Sequence, residues 1–153
     1  LKDVVAALQG AEILVSAFID PEPAQVEAAA EAGVDMCEVH TGPYAAAFAR
    51  RGGDFLAADL AAELEKIADA GRRIRSARGG GDGGMRFNAG HALNYHNVGP
   101  IAALPGIAEL HIGHSIVSRA VYTGLRTAVS DMKRLIEEAA RAGVRPGSGR
   151  LPG

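Results

Sequence analysis

The feature that most constrains this chain is a fourfold repeat, in which a short apolar segment is followed by a turn and a helical segment. Alternation of strands with helices is typical of α/β proteins with a parallel sheet. The predicted strands, each bounded by Gly, Pro or Asp, are residues 13–20, 35–41, 85–90 and 109–113. The repeat predicts either an open doubly wound sheet or part of a closed barrel.

The segments between the strands carry helix signals. Asp20, which a proline follows, suits the start of a helix, and Gly33 suits its end. Apolar residues at helical spacing predict a longer amphipathic helix over residues 55–75. The last helical region, residues 115–142, contains Gly124 as a joint and is predicted to divide into two helices.

Side-chain alternation along the strands distinguishes the two folds. Glu38 and His40 share one face of the second strand, and Cys37 and Val39 share the other. The third and fourth strands show the same split, with Arg86, Asn88, Glu109 and His111 opposite Phe87, Ala89, Leu110 and Ile112. Central strands of a doubly wound sheet are apolar on both faces. One polar face therefore favours a (β/α)8 TIM barrel, of which the chain covers about the last four βα units.

The domain organisation follows from this fold. Residues 1–142 are predicted to form the C-terminal half of a TIM-barrel domain, in which residues 1–10 are a helix after a strand outside this sequence. Residues 143–153 are predicted to be a flexible tail. The glycine-rich run at residues 79–84 precedes a strand and lacks the Lys-Ser/Thr of a phosphate loop, so we interpret it as a connection.

Composition narrows the partners and the compartment. Sixteen basic and eighteen acidic residues give a net charge of −2 without a basic stripe, so nucleic acid is not an expected partner. No segment approaches the roughly 18 apolar residues of a membrane span, and a membrane partner is not expected. Cys37 is the single cysteine, which excludes an internal disulfide and fits a reducing compartment. We expect a cytoplasmic protein.

Polar residues concentrate where the predicted strands end. Four of the five histidines lie there, and the fifth is in a nearby loop: His40, His91, His111, His114 and His96. In barrels the carboxyl ends of the strands form the rim of the active site. The sequence therefore predicts a functional site at this rim.

Three features of the rim predict chemistry. His91 follows Gly90 beyond the strand, which suits a general acid or base near neutral pH, although a structural hydrogen bond is the alternative. Glu38 either stabilises positive charge and handles protons or forms an ion pair with Arg86. Gly113 and His114, just before the helix predicted from Ser115, suit a phosphate cradle, and the alternative is a turn that needs Gly for its geometry.

A metal site is the main competing interpretation of the histidines. His40, His91, His111 and Glu38 could converge on a divalent ion, but the sequence has neither His-x-His on a strand nor His-Glu-x-x-His. We therefore expect no metal. Cys37 should face the helices as a buried thiol.

At these motifs the sequence resembles the pyridoxine 5'-phosphate synthase family. The segments that carry the resemblance, in the family's order and spacing, are residues 18–21, 38–44, 88–91, 93–98 and 112–116. The resemblance covers most of the chain, from about Val15 to Ile136.

The resemblance implies an enzyme that condenses 1-deoxy-D-xylulose 5-phosphate with 3-amino-2-oxopropyl phosphate to pyridoxine 5'-phosphate, releasing phosphate and water. It implies no metal or organic cofactor, and a homo-oligomer of complete barrels. His91 matches the family's proton donor, and Glu38 matches a glutamate that stabilises the transition state. Ala92, Gly113 and His114 match positions that bind the amino-ketone phosphate.

The sequence departs from the family pattern at several places. Ala92 replaces the usual Gly, and His111 stands where Asn is commoner. The family's first four strands, with an Asn-x-Asp-His motif and a further catalytic His and Glu, have no counterpart here, so we expect half of a site. The alternatives are a metal-dependent barrel aldolase or isomerase acting on a sugar phosphate, and an inactive half-barrel that binds phosphate compounds.

Overall fold

The computed structural model describes residues 1–77 and 84–143, in which helices and strands alternate. The strands are β1 (Ser16–Ile19), β2 (Met36–His40), β3 (Arg86–Gly90) and β4 (Ile107–His111). The helices are α1 (Lys2–Gly10), α2 (Pro23–Ala32), α3 (Gly42–Arg50), α4 (Ala58–Ser76), α5 (Val98–Ala102), α6 (His114–Thr123) and α7 (Leu125–Gly143).

The four strands form one parallel sheet in the order β1-β2-β3-β4. In the register of the sheet, Ser16 lies opposite Met36, and Met36 lies opposite Arg86. The pairing of β3 with β4 contains a register shift between Phe87 and Asn88. A doubly wound sheet reverses its strand order at a switch point, whereas a barrel adds each strand beside the preceding one. The predicted α/β fold is confirmed, and the order of the described strands is that of an unclosed segment of a (β/α) barrel.

The two faces of the sheet differ as the alternation predicts. One face is buried in the main core, where Cys37, Val39, Phe87 and Ala89 are each at most 1% exposed and helices α2 and α4 contact the strands. The other face carries half-buried Glu38 and His40 and exposed Arg86, Glu109 and His111. Asn88 is on this polar face but is fully buried. The polar side chains are thus positioned away from the helical layer.

Several element boundaries differ from the predictions. Asp20 is not the helix cap, because α2 begins at Pro23 with Glu22 in the cap position, and Asp20 instead hydrogen-bonds Gln25 and His40. Gly33 ends α2 with a left-handed φ of 85°, as predicted. The predicted break at Gly124 is also confirmed, since this residue separates α6 from α7 with a φ of 81°.

Other predictions differ from the structure by a few residues at an element boundary, or concern residues outside the described ranges. Strand β4 begins at Ile107 instead of residue 109, and α4 begins at Ala58 instead of residue 55. Helices α3 and α5 were not predicted. The predicted tail at 143–153 lies outside the described residues apart from Gly143, and the glycine run at 79–84 lies outside them apart from Gly84. Among the helices of the described ranges, none combines the length and apolar character that crossing a membrane requires.

Candidate functional site

A cavity of about 750 Å³ opens at the carboxyl ends of β2, β3 and β4. Its lining includes all five residues that the sequence predicts for the site: Glu38, His91, Ala92, Gly113 and His114. Phe18 and His111 also contribute to the lining. Residues from separate βα units are therefore brought to one place by the parallel sheet.

The loop after β3 presents His91 to this cavity in an unusual backbone conformation. His91 has a φ of 82° and Ala92 a φ of 57°, so two successive residues with side chains adopt the left-handed region. Each such residue costs roughly 1–2 kcal/mol relative to ordinary backbone. Glycine at position 92 would be free of this cost. Ala92, at a position where the sequence resemblance implies Gly, therefore adds backbone strain beside the candidate acid.

Buried side chains hold the carbonyl groups of this strained loop. The Thr41 hydroxyl lies 2.7 Å from the Gly90 carbonyl oxygen and 2.5 Å from that of His91, and it shares its single proton between them. The Asn97 amide donates to the Ala92 carbonyl oxygen at 3.2 Å. Thr41 is fully buried and Asn97 is 1% exposed, so the donors of these bonds lie inside the protein.

His40 packs against His91 and is itself held by a carboxylate. The His40 Nδ1 atom lies 2.9 Å from Asp20 Oδ1, and the centroids of the two histidine rings are 4.8 Å apart with planes inclined at 68°. The hydrogen bond with His40, followed by that from Gln25, lowers the pKa of Asp20. An ionised Asp20 accepts a hydrogen bond from the Nδ1–H group and thereby fixes the orientation of the His40 ring beside His91.

Glu38 pairs with His111 across the cavity wall. The Glu38 Oε2 and His111 Nδ1 atoms are 2.5 Å apart, and Glu109 Oε2 lies 3.6 Å from His111 Nε2. The hydrogen bond with Glu38 raises the pKa of His111 despite its partial burial. The pair places a carboxylate and an imidazole in hydrogen-bond contact next to the cavity.

The alternative prediction, that Glu38 forms an ion pair with Arg86, is wrong. Arg86 Nη2 lies 2.5 Å from Glu109 Oε1. The register explains this choice, because Arg86 lies opposite Met36 at the far end of the strands, whereas Glu38 lies opposite Asn88. Glu38 therefore pairs with His111 and not with Arg86.

The first turn of α6 also lines the cavity. Gly113 precedes this helix, which begins at His114, and the N–H groups at a helix start favour anions. The turn does not require glycine, because the φ of Gly113 is −115° and no described atom lies within 4 Å of a Cβ placed there. The Ser115 hydroxyl donates to the Leu93 carbonyl oxygen at 2.9 Å and ties the helix start to the His91 loop.

Two further predictions concern the thiol of Cys37 and the possibility of a metal site. Cys37 is fully buried, as predicted, and burial raises the pKa of its thiol to about 11. Within residues 1–77 and 84–143, no three His, Cys, Asp or Glu side chains are grouped so that they could hold a metal ion.

Sequence reasoning missed Thr41, Asn97 and Ser115 as parts of the site. All three residues lie within the segments that carry the family resemblance. Their burial, and their bonds to a loop up to 50 positions away in the chain, depend on how the βα units pack. The position of Thr41 directly after a strand is the one signal that could have singled it out.

A parallel sheet in consecutive order, covered by helices on one face and with a polar cavity at the carboxyl ends of its strands, defines a segment of a (β/α) barrel. The family model described as pyridoxal phosphate biosynthesis protein PdxJ matches residues 1–138. The chain belongs to this family.

Curated relatives agree with this assignment. Pyridoxine 5'-phosphate synthase of Azoarcus sp. (strain BH72) is 59% identical over 140 residues, which are 92% of this chain and 54% of the relative. The enzyme of the same name from Aromatoleum aromaticum is 59% identical over 94% of this chain and 55% of its own length. That of Rhodopirellula baltica is 50% identical over 93% of this chain and 52% of its own length. The chain spans about half the length of these relatives.

Proposed function

We propose that this chain supplies the C-terminal half of a pyridoxine 5'-phosphate synthase. The reaction is the condensation of 1-deoxy-D-xylulose 5-phosphate with 3-amino-2-oxopropyl phosphate, with release of phosphate and water. The observation that carries the proposal is that the five positions matching the family's site meet in one cavity of a chain that belongs to this family. The other half of the site would come from the remaining strands of a complete barrel.

In this proposal His91 is the proton donor. A histidine is suited to the role because its ordinary pKa lies near neutrality, so that a protonated ring can protonate a leaving oxygen. The exposed position of His91 beyond β3 supports the proposal, as does its ring contact with His40. A departing hydroxyl or phosphate oxygen would take the proton as water or phosphate is released.

Glu38 stabilises positive charge that develops on the condensing amine. Its carboxylate lies on the cavity wall in contact with His111, and a half-buried carboxylate acts on nearby cations more strongly than an exposed one. The Glu38–His111 pair supports this role because it fixes one carboxylate oxygen and leaves the group beside the cavity.

Ala92, Gly113 and His114 bind the phosphate of the amino-ketone substrate. The start of α6 supplies backbone N–H groups and the positive end of a helix dipole, both of which favour a dianion. The Ser115–Leu93 hydrogen bond supports the arrangement because it fixes the distance between the phosphate cradle and the His91 loop.

The rest of the proposal concerns assembly. We place the working protein in the cytoplasm as a homo-oligomer of complete barrels, acting on phosphorylated small molecules without a metal or organic cofactor. The comparisons do not favour the alternative of a metal-dependent aldolase or isomerase.

Product formation tests the proposal directly. A complete barrel is made by joining this chain to the N-terminal half of the Azoarcus relative, and pyridoxine 5'-phosphate is measured by chromatography after incubation with the two substrates. We expect product from the joined barrel and, in a His91→Ala variant, a loss of turnover of at least 100-fold with little change in unfolding midpoint.

His96→Ala is the matched control, because His96 is an exposed loop histidine outside the proposed machinery. It should retain turnover within about 2-fold. A joined barrel that folds but forms no product contradicts the proposed function. Equal loss of turnover and stability in His91→Ala would show that this histidine is structural.

A further inference from the structure

We propose that Thr41 is a positioning residue, whose buried hydroxyl holds the left-handed His91–Ala92 backbone and so aims the His91 imidazole at the substrate. This inference rests on the proposed function and deepens it. Thr41 contributes no atom to the cavity chemistry itself. It acts through the backbone of the residue that does.

Thr41 directs its hydrogen bonds at the backbone on both sides of His91. Thr41 follows β2 directly, and its own N–H donates to the Gly90 carbonyl oxygen at 2.9 Å, which extends the pairing between β2 and β3 by one residue. Its hydroxyl then reaches the carbonyl oxygens of both Gly90 and His91. The peptide groups on either side of the His91 Cα are therefore fixed by one side chain.

The second observation is that the next carbonyl is also held. The Asn97 amide donates to the Ala92 carbonyl oxygen, while the Asn97 side-chain oxygen accepts the Asn94 N–H at 2.7 Å. The Tyr44 hydroxyl, fully buried, donates to the Asn97 backbone carbonyl at 2.8 Å. Three successive carbonyl oxygens of the loop, those of Gly90, His91 and Ala92, thus accept hydrogen bonds from two buried side chains.

The third observation is the backbone conformation that these bonds hold. A single left-handed residue is tolerated in many turns, but His91 and Ala92 adopt this region in succession and neither is glycine. Such a conformation persists only where its surroundings over-determine it. Loss of the Thr41 hydroxyl frees the carbonyls of Gly90 and His91 to rotate, and the imidazole would then leave its position against His40.

The position of His91 matters because proton transfer requires close approach to the reacting oxygen. A displacement of about 1 Å from reacting geometry can cost roughly 100-fold in rate. Of the three proposed phosphate contacts, only that of Ala92 lies on the loop that Thr41 holds, whereas those of Gly113 and His114 lie at the start of α6, so KM should change less than kcat. The inference therefore predicts an effect on kcat that is separate from any effect on KM.

The experiment compares Thr41→Val with Thr41→Ser in the joined complete barrel. Valine preserves the shape of threonine without the hydroxyl, and serine preserves the hydroxyl. We expect Thr41→Val to lower kcat by about 10- to 100-fold with KM for the amino-ketone phosphate within about 3-fold. Thr41→Ser should restore kcat to within about 3-fold of the parent. Thr123→Val, which removes an exposed helical hydroxyl, should leave both constants unchanged.

A second measurement separates this inference from the proposed function. Backbone NMR shifts of His91 and Ala92 report the left-handed conformation directly, and we expect both to move in Thr41→Val and to stay in Thr41→Ser. If the parent barrel makes no product, the proposed function fails and these shifts alone decide whether Thr41 holds the loop. Unchanged shifts with unchanged kcat in Thr41→Val overturn the inference, as does an equal loss of kcat in the serine variant.

Discussion

Replacing Tyr44 with phenylalanine removes one hydroxyl from the buried contacts behind the His91 loop. Tyr44 is fully buried, and its hydroxyl donates to the Asn97 carbonyl at 2.8 Å. Losing this hydrogen bond, with partial desolvation of its acceptor, should lower the free energy of unfolding by about 1–2 kcal/mol at pH 7. The same substitution also removes an ionisable group, so its effect depends on pH.

The sign of that dependence follows from the pKa of Tyr44, which burial raises from 10.0 to about 12. Below pH 10 the phenol is neutral in both the folded and the unfolded chain. Above pH 10 the unfolded chain ionises first, so wild-type stability falls as the pH rises towards 12. At pH 11 this linkage removes about 1.4 kcal/mol from the wild type and nothing from Tyr44→Phe. The variant should therefore be clearly less stable at pH 7 and nearly equal to the wild type at pH 11.

Urea unfolding of the chain and its variants at pH 7, 9 and 11 measures both quantities. The chain has no tryptophan, so far-UV circular dichroism is the signal. Tyr122→Phe is the control, because Tyr122 is 91% exposed and its replacement should change the free energy of unfolding by less than about 0.5 kcal/mol. A difference between the wild type and Tyr44→Phe that stays constant from pH 7 to pH 11 would refute the burial of this hydroxyl.

Two further predictions concern the site and the core. His111→Asn should lower the free energy of unfolding more at pH 6 than at pH 9. Glu38 raises the pKa of His111, so the protonated pair stabilises the fold fully below about pH 6.5, and this stabilisation is lost as the pH rises through the raised pKa. Equal loss at both pH values in urea titrations would contradict the pairing. Gly71→Ala should lower the free energy of unfolding by about 1 kcal/mol. A Cβ at this position would overlap the buried Phe87 ring, and the cost of this overlap should exceed the gain in helix propensity from alanine. Gly99→Ala, whose Cβ would lie 4.0 Å from Ala139, is its thermal-melting control, and a stabilised Gly71→Ala would refute the close packing.

The strands and their faces could be predicted because they depend on local pattern. Alternation at residues 37 to 40 identifies the buried and polar faces of β2, and a glycine identifies the end of α2. The short helices could not be found in this way. Helix α3 opens with Gly42 and a proline, and α5 contains Gly99 and a proline, so both resemble turns in sequence. Tertiary contacts overrode those local preferences.

The candidate site shows a similar division. The positions of His91 and Glu38 beside one cavity could be predicted, because His91 follows the end of β3 and Glu38 lies on the polar face of β2. The pairing of Glu38 with His111 instead of Arg86 could not, because it depends on strand register. The left-handed backbone of His91 was equally hidden, since it depends on buried partners from other units of the repeat.

The bonds that hold the His91 loop have a consequence for how this barrel can be rearranged. Thr41, Tyr44 and Asn97 all belong to the stretch from the end of β2 to the start of α5. Two consecutive βα units therefore contain both the histidine and the side chains that fix its backbone. Recombination between relatives that exchanges only the strands before β2 would keep these two βα units together. A crossover between β2 and β3 would instead separate His91 from Thr41.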